Sequence, residues 1–148
     1  MSKEKKPAFA SAVEMLSRQE YSKSRLKDKL LKKDYDEKEA EEALKRLEEL
    51  RLLNDKEAVQ SRFRFMYENG RSSLREIKYK LMRQGFLRED IEEAAPEDTR
   101  ERELSAAFRS LKIKFRRNKD TLKMRGYLYR HGFDADISRE AVEKFLEE

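Results

Sequence analysis

The sequence predicts an all-α protein of three tandem three-helix repeats in an elongated, curved arrangement, and three observations predict it. Glu, Lys, Leu, Arg and Ala, all strong helix formers, dominate the chain, whereas its 148 residues include only four Gly and two Pro. The apolar residues recur with helical spacing, yet no a/d pattern runs through three heptads, which excludes a long coiled coil. The chain also aligns with itself at offsets of 51 and 47 residues.

The repeated segment runs 24–35, 75–86 and 122–133. Three columns are apolar in every copy: Leu26/Ile77/Met124, Leu30/Leu81/Leu128 and Leu31/Met82/Tyr129. Their i, i+4, i+5 spacing predicts one core-facing helix face. Two columns are basic in every copy, Lys27/Lys78/Arg125 and Lys32/Arg83/Arg130. Each copy ends in a residue suited to the left-handed turn that closes a helix (Asp34, Gly85, Gly132), then an aromatic (Tyr35, Phe86, Phe133) placed to fold back on the last turn.

Taken in order, residues 1–7, with the charged run Lys3 to Lys6, are expected to be a disordered N-terminus. Repeat 1 is expected over 8–53. Phe9, Val13 and Leu16 mark its first helix, Ser22 caps its second, and the capping-box pair Asp36 and Glu39 starts a third carrying Ala40, Ala43, Leu44 and Leu47. Repeat 2, over 54–97, reads likewise: Val59, Phe63 and Met66, then a Ser73 cap with Glu76 three residues on, then Ile91, Ala94 and Ala95. Pro96 discourages helix at Ala95. Repeat 3, over 98–148, has Leu104, Phe108, Leu111 and Phe115, a cap at Asp120, and a last helix started by Asp134 or Asp136 that carries Ile137, Ala141, Val142 and Phe145. A unit this small buries too little surface to stand alone, so neighbours must pack.

Several classes of function are excluded. Without Cys there is no disulfide framework, thiolate zinc site or cysteine nucleophile. The single histidine, His131, falls in the column of Lys33 and Gln84 and reads as a surface residue. No glycine-rich phosphate loop occurs, and the acid pairs Glu41-Glu42 and Glu92-Glu93 lie on highly charged helices where no burial would tune them for general acid work. No apolar run approaches the ~20 residues of a membrane span, and Met1 to Lys6 leads into no signal segment. A monomeric, soluble, cytoplasmic protein is expected, neither an enzyme nor a cofactor carrier.

Charged residues make up 45% of the chain, yet the net charge is only +5 because the signs are sorted locally. Residues 23–33 hold six bases to one acid, 62–83 seven to two, and 109–130 nine to one. The third helices reverse this, with eight acids to three bases over 34–49, six to one over 88–98 and six to two over 134–148. A single base near a helix C-terminus has a plainer role in complementing the helix dipole or bridging to a neighbouring acid. The excess at 109–130 is different. That much like-charge repulsion gains a short stretch nothing structural, so it reads as a phosphate-tracking surface. The residues expected to meet a partner or DNA are Arg25, Lys29, Lys32, Arg71, Arg75, Lys78, Arg83, Lys112, Arg116, Arg117, Lys119, Lys123 and Arg125. Tyr67, Tyr79, Tyr127 and Tyr129 lie near them and could stack on bases, although most aromatics here are at core spacing.

The basic helix Arg25 to Tyr35, its copies Ile77 to Phe86 and Leu128 to Phe133, and the linker Leu50-Arg51-Leu52-Leu53-Asn54-Asp55 together resemble the RecX family, regulators of the RecA recombinase. The likeness covers about residues 8–147. Two departures stand out: Asn69 to Leu74 replaces the family's usual Gly-x-Gly-Pro turn, and Asp34 stands where the family usually has Gly. The resemblance implies a non-enzymatic protein that lies in the groove of RecA–DNA filaments and inhibits ATP hydrolysis, strand exchange and SOS and recombination activity. The alternative is a protein that binds single-stranded nucleic acid directly, without a recombinase. The acidic third helices favour the filament, since DNA would repel them.

Overall fold

A computed structural model describes residues 6–116 and 119–148. Its described residues form nine α-helices and no strands: α1 (Ala8–Arg18), α2 (Lys23–Lys32), α3 (Glu37–Glu49), α4 (Asp55–Asn69), α5 (Leu74–Arg83), α6 (Arg88–Ala94), α7 (Arg100–Lys114), α8 (Thr121–Arg130) and α9 (Ala135–Glu147). The all-α class is as expected. Of the expected N-terminal disorder, residues 1–5 lie outside the described residues. Lys6 is held in place, its carbonyl accepting the Tyr35 hydroxyl at 2.6 Å and its ammonium 2.8 Å from Glu14.

The middle helices α2, α5 and α8 end in one motif, three times over. The amides of Tyr35, Phe86 and Phe133 donate back to the carbonyls of Leu30, Leu81 and Leu128 at 3.3, 3.2 and 3.1 Å. Those of Asp34, Gly85 and Gly132 donate to Leu31, Met82 and Tyr129 at 3.1, 3.0 and 3.0 Å. This is the paired bonding of a Schellman C-cap, and it requires a positive φ at the turn residue: 69° at Asp34, 92° at Gly85 and 93° at Gly132. The aromatic that follows is buried in each copy.

Two of the three apolar columns are core. Leu26, Ile77 and Met124, like Leu30, Leu81 and Leu128, are fully buried. The third column is not. Leu31, Met82 and Tyr129 are 39%, 52% and 67% exposed. They sit about 100° around the helix from their buried neighbours, and the narrow seam of a three-helix unit does not reach that far. In α1 the buried stripe is Ala8, Ser11, Ala12 and Met15, while Val13 is exposed. Small residues let the helices approach closely there, and Phe9 and Leu16 flank the core.

The chain packs as two compact units, Met1–Ser61 with Leu81–Ile91, and Arg62–Lys80 with Glu92–Glu148. In the first, Ala12, Leu26, Leu30 and Leu44 centre a core drawn from α1, α2 and α3. In the second, Ala107, Leu111, Leu128 and Val142 centre one drawn from α7, α8 and α9.

Each unit contains the same hydrogen-bonded joint between successive repeats. In the first, Ser22 Oγ accepts from the Arg25 amide at 3.1 Å, capping α2, and donates to the Gln84 carbonyl at the end of α5. Beside it the Lys23 amide donates to Asp55 Oδ1 at 2.9 Å. In the second, Ser73 Oγ accepts from the Glu76 amide at 3.1 Å and donates to the His131 carbonyl at 2.6 Å. The Leu74 amide donates to Glu103 Oε1 at 3.0 Å. A hydroxyl suits the position because it accepts and donates at once. Both serines are buried, so an unmade bond would cost about 1–3 kcal/mol.

Candidate functional site

The joints place the bases that follow the capping serines. In α2, Arg25 and Lys32 are exposed, while Lys29 is half-buried with its ammonium 5.2 Å from the Tyr21 ring centre. Arg83, near the end of α5, is exposed as well. Lys27 is spent within its own repeat, bridging Glu37 and Glu41 of α3, each at 3.2 Å. Lys78 does the same one repeat on, reaching Glu92 of α6 at 2.9 Å. Part of the alternation of basic and acidic helices is therefore internal pairing, and Lys78 is half-buried in that role.

Of the other expected bases, Arg71, Arg75, Lys112, Arg116, Lys119, Lys123 and Arg125 are exposed. Arg75, Lys119, Lys123 and Arg125 form no ion pair with another described residue, and neither does Arg116; Arg117 lies outside the described residues. Arg71 and Lys112 are brought together, and with Arg109 they line a shallow groove over Gly70, Ser72 and Ile113. None of the three forms an ion pair among the described residues. The Lys112 ammonium lies 4.9 Å from the Phe108 ring centre, which steadies its stem.

Side chains of α7 hold the loop beneath that groove. The Arg102 guanidinium donates to the carbonyls of Met66, Tyr67 and Ser72 at 3.2, 2.8 and 2.6 Å, and lies 4.7 Å from the Tyr67 ring centre. Ser110 Oγ donates to the Arg71 carbonyl at 2.8 Å. Arg109 reaches the Gly70 carbonyl at 3.4 Å. Arg102 is thus a clamp, half-buried against the end of α4, and nothing in the sequence pattern distinguished it from the exposed bases around it. Its neighbour Glu103 is a buried acid 2.8 Å from it.

Burial pushes the Glu103 carboxyl above the ordinary glutamate range, although the hydrogen bonds from Arg102 and the Leu74 amide oppose the shift. Asp55, its counterpart in the other joint, is also raised, chiefly by burial and then by the acids Asp90 and Glu48, against the Lys23 amide. His131 is exposed, but it is no bystander. Its carbonyl accepts the Ser73 hydroxyl, its Nδ1 lies 2.9 Å from Glu76 Oε1, and its ring packs 4.2 Å from that of Tyr127. Among the described residues no three acidic or histidine side chains converge as metal ligands would.

Fold and surface define a class: an all-α protein of tandem three-helix repeats whose last repeat carries cations that form no ion pair among the described residues. Comparison with known proteins finds similar chains. The model of the RecX first three-helix domain matches residues 8–47. The chain is 28% identical to the regulatory protein RecX of Clostridium beijerinckii over 148 aligned positions, covering 92% of this chain and 67% of that protein. It is also 28% identical to that of Legionella pneumophila over 135 positions, covering 88% and 89%. The crystal structure of RecX from Lactobacillus salivarius superposes with a TM-score of 0.80 at 24% identity, covering 95% of this chain and 96% of that one. The chain is thus similar along nearly its whole length to regulatory RecX proteins, and it shares their fold.

Proposed function

We propose that this protein is a non-enzymatic regulator that binds RecA–DNA filaments and inhibits their ATP hydrolysis and strand exchange. What carries the proposal is the match to regulatory RecX proteins along nearly the whole chain. The surface is consistent with it. The Arg71, Arg109 and Lys112 groove, which holds no ion pair among the described residues, and the exposed Arg116, Lys119 and Lys123 offer phosphate contacts. Further bases stand on the earlier repeats, at Arg25, Lys32 and Arg75. Several weak contacts on one chain raise avidity on a repeating partner without any deep pocket.

The test is a titration of the DNA-dependent ATPase of RecA. Inhibition well below one regulator per recombinase subunit is the expected outcome. No loss of turnover at saturating protein would sink the proposal.

The cationic groove favours one other reading, direct binding of single-stranded nucleic acid. Each phosphate contact contributes about −0.7 to the slope of log affinity against log salt. A three-cation site on bare DNA would therefore give a slope of roughly −2, and Arg71→Gln would reduce it by about 0.7. Affinity that arises only when RecA is present would exclude that reading.

A further inference from the structure

The third repeat breaks a rule that the first two obey. The fifth residue of each middle helix is basic (Lys27, Lys78, Arg125), and the fifth residue of the third helix beside it is Glu41, Glu92 and then Arg139. In the first two repeats these positions form ion pairs, Lys27 with Glu41 and Lys78 with Glu92. In the third, two arginines stand where a cation and a carboxylate stood. Neither forms an ion pair with another described residue.

Arg125 and Arg139 line one groove between α8 and α9. Its walls carry Leu122 and Tyr129, which are 80% and 67% exposed. With Gly126 between them, these residues are spaced i, i+4, i+7 along one face of α8. Asp136 also lines the groove, but Arg100 engages it at 3.3 Å. Gly126 adds an independent observation. Glycine inside a helix is less stable than alanine, its φ is not positive here, and a Cβ would come near only the movable end of Arg130, at 3.2 Å. Packing does not require this glycine, and its lack of a side chain keeps the floor of the groove open.

We propose that the α8–α9 groove of the third repeat is a docking site for an acidic peptide segment bearing an apolar anchor residue. The anchor would lie over Gly126 between Leu122 and Tyr129. Flanking carboxylates would meet Arg125 and Arg139, supplying the negative charge that Glu41 and Glu92 supply internally in the other repeats. Guanidinium groups suit that task because their planar donors grip carboxylates in pairs. The proposal does not depend on the recombinase reading, so either can fail alone.

The test is an amide NMR titration of the full chain with a short synthetic peptide alternating Glu pairs with Leu and Phe. A control peptide carries Gln for Glu, and a thymidine oligonucleotide is a third probe. Saturable movement of the Gly126 and Tyr129 amides is expected with the acidic peptide, on the order of tenfold weaker with the Gln control. Arg139→Glu restores the cation–carboxylate arrangement of the first two repeats. It is expected to keep the fold at least as stable while weakening the peptide roughly tenfold. Absence of saturable shifts at those amides would overturn the proposal. So would Arg139→Glu binding the peptide unchanged, or tighter capture of the oligonucleotide at the same amides, which would make the groove a nucleic-acid subsite.

Discussion

Gly85 and Gly132 each answer two demands at one atom. Their φ values are positive, and a Cβ would stand 2.7 Å from Ser22 Oγ or 2.6 Å from Ser73 Oγ. The serines cannot swing aside without giving up their helix caps. Asp34 takes the same turn with a positive φ of 69°, a conformation that aspartate adopts at some cost. Asp120 differs from the capping serines. As a carboxylate it only accepts, from the Leu122 and Lys123 amides at 3.1 and 3.2 Å. Gly132→Ala is expected to cost about 2 kcal/mol, part from the left-handed backbone and part from the displaced serine. Asp34→Gly should instead stabilise by about 0.5–1 kcal/mol. A double-mutant cycle by urea unfolding separates the two parts: Ser73→Ala removes the clashing oxygen, so Gly132→Ala should cost less in that background. Strict additivity would mean that the approach of glycine to serine carries no energy.

At the scale of helices, the caps and ends were legible in the sequence and the faces only partly so. Ser22, Ser73 and the Asp36–Glu39 capping box lie where their residue types placed them. Asp134 takes the cap position of α9 without a side-chain bond. These are local interactions that neighbouring residues determine. The exposed column of Leu31, Met82 and Tyr129 was not legible, because periodicity alone does not tell how wide a seam the neighbouring helices cover. Nor were the acids of the joints. Asp55 and Glu103 look like ordinary first-turn acids, and only the packing of one repeat on the next buries them.

The buried Glu103 has a consequence for pH. Its raised pKa means the native state holds this proton more tightly than the unfolded chain does. Its contribution to stability is therefore most favourable below the ordinary glutamate pKa and falls as pH rises through the raised one. Glu103→Gln keeps an acceptor for the Leu74 amide but has no charge to desolvate. Urea midpoints of the variant should depend less on pH than those of the parent across that window. An equally steep profile would show that Glu103 is not the group responsible.

For the molecule as a whole, a net charge of +5 conceals the useful distinction, which is between cations that are paired and cations that are not. Counts along the chain located the basic stretches correctly. They could not separate Lys78, bound to Glu92, or Arg102, clamped on α4, from Arg71 and Lys112, which form no ion pair among the described residues, because pairing depends on which helices meet. The replacement of a glutamate by Arg139 was visible in the repeat alignment, yet it gains meaning only once Lys27 and Lys78 are seen bonded to Glu41 and Glu92. Charge reversal of Arg116, Arg117 and Lys119 together is expected to weaken filament binding roughly tenfold or more, with helicity and unfolding midpoint retained. Unchanged inhibition by that triple variant would move the contact surface elsewhere.

The most direct measurement is co-sedimentation with preformed RecA filaments, assembled on single-stranded DNA and compared with the same DNA alone. A RecX-type regulator should pellet saturably with the filament and far more weakly with bare DNA. Equal pelleting with both, or none with the filament, would contradict a recombinase-directed role.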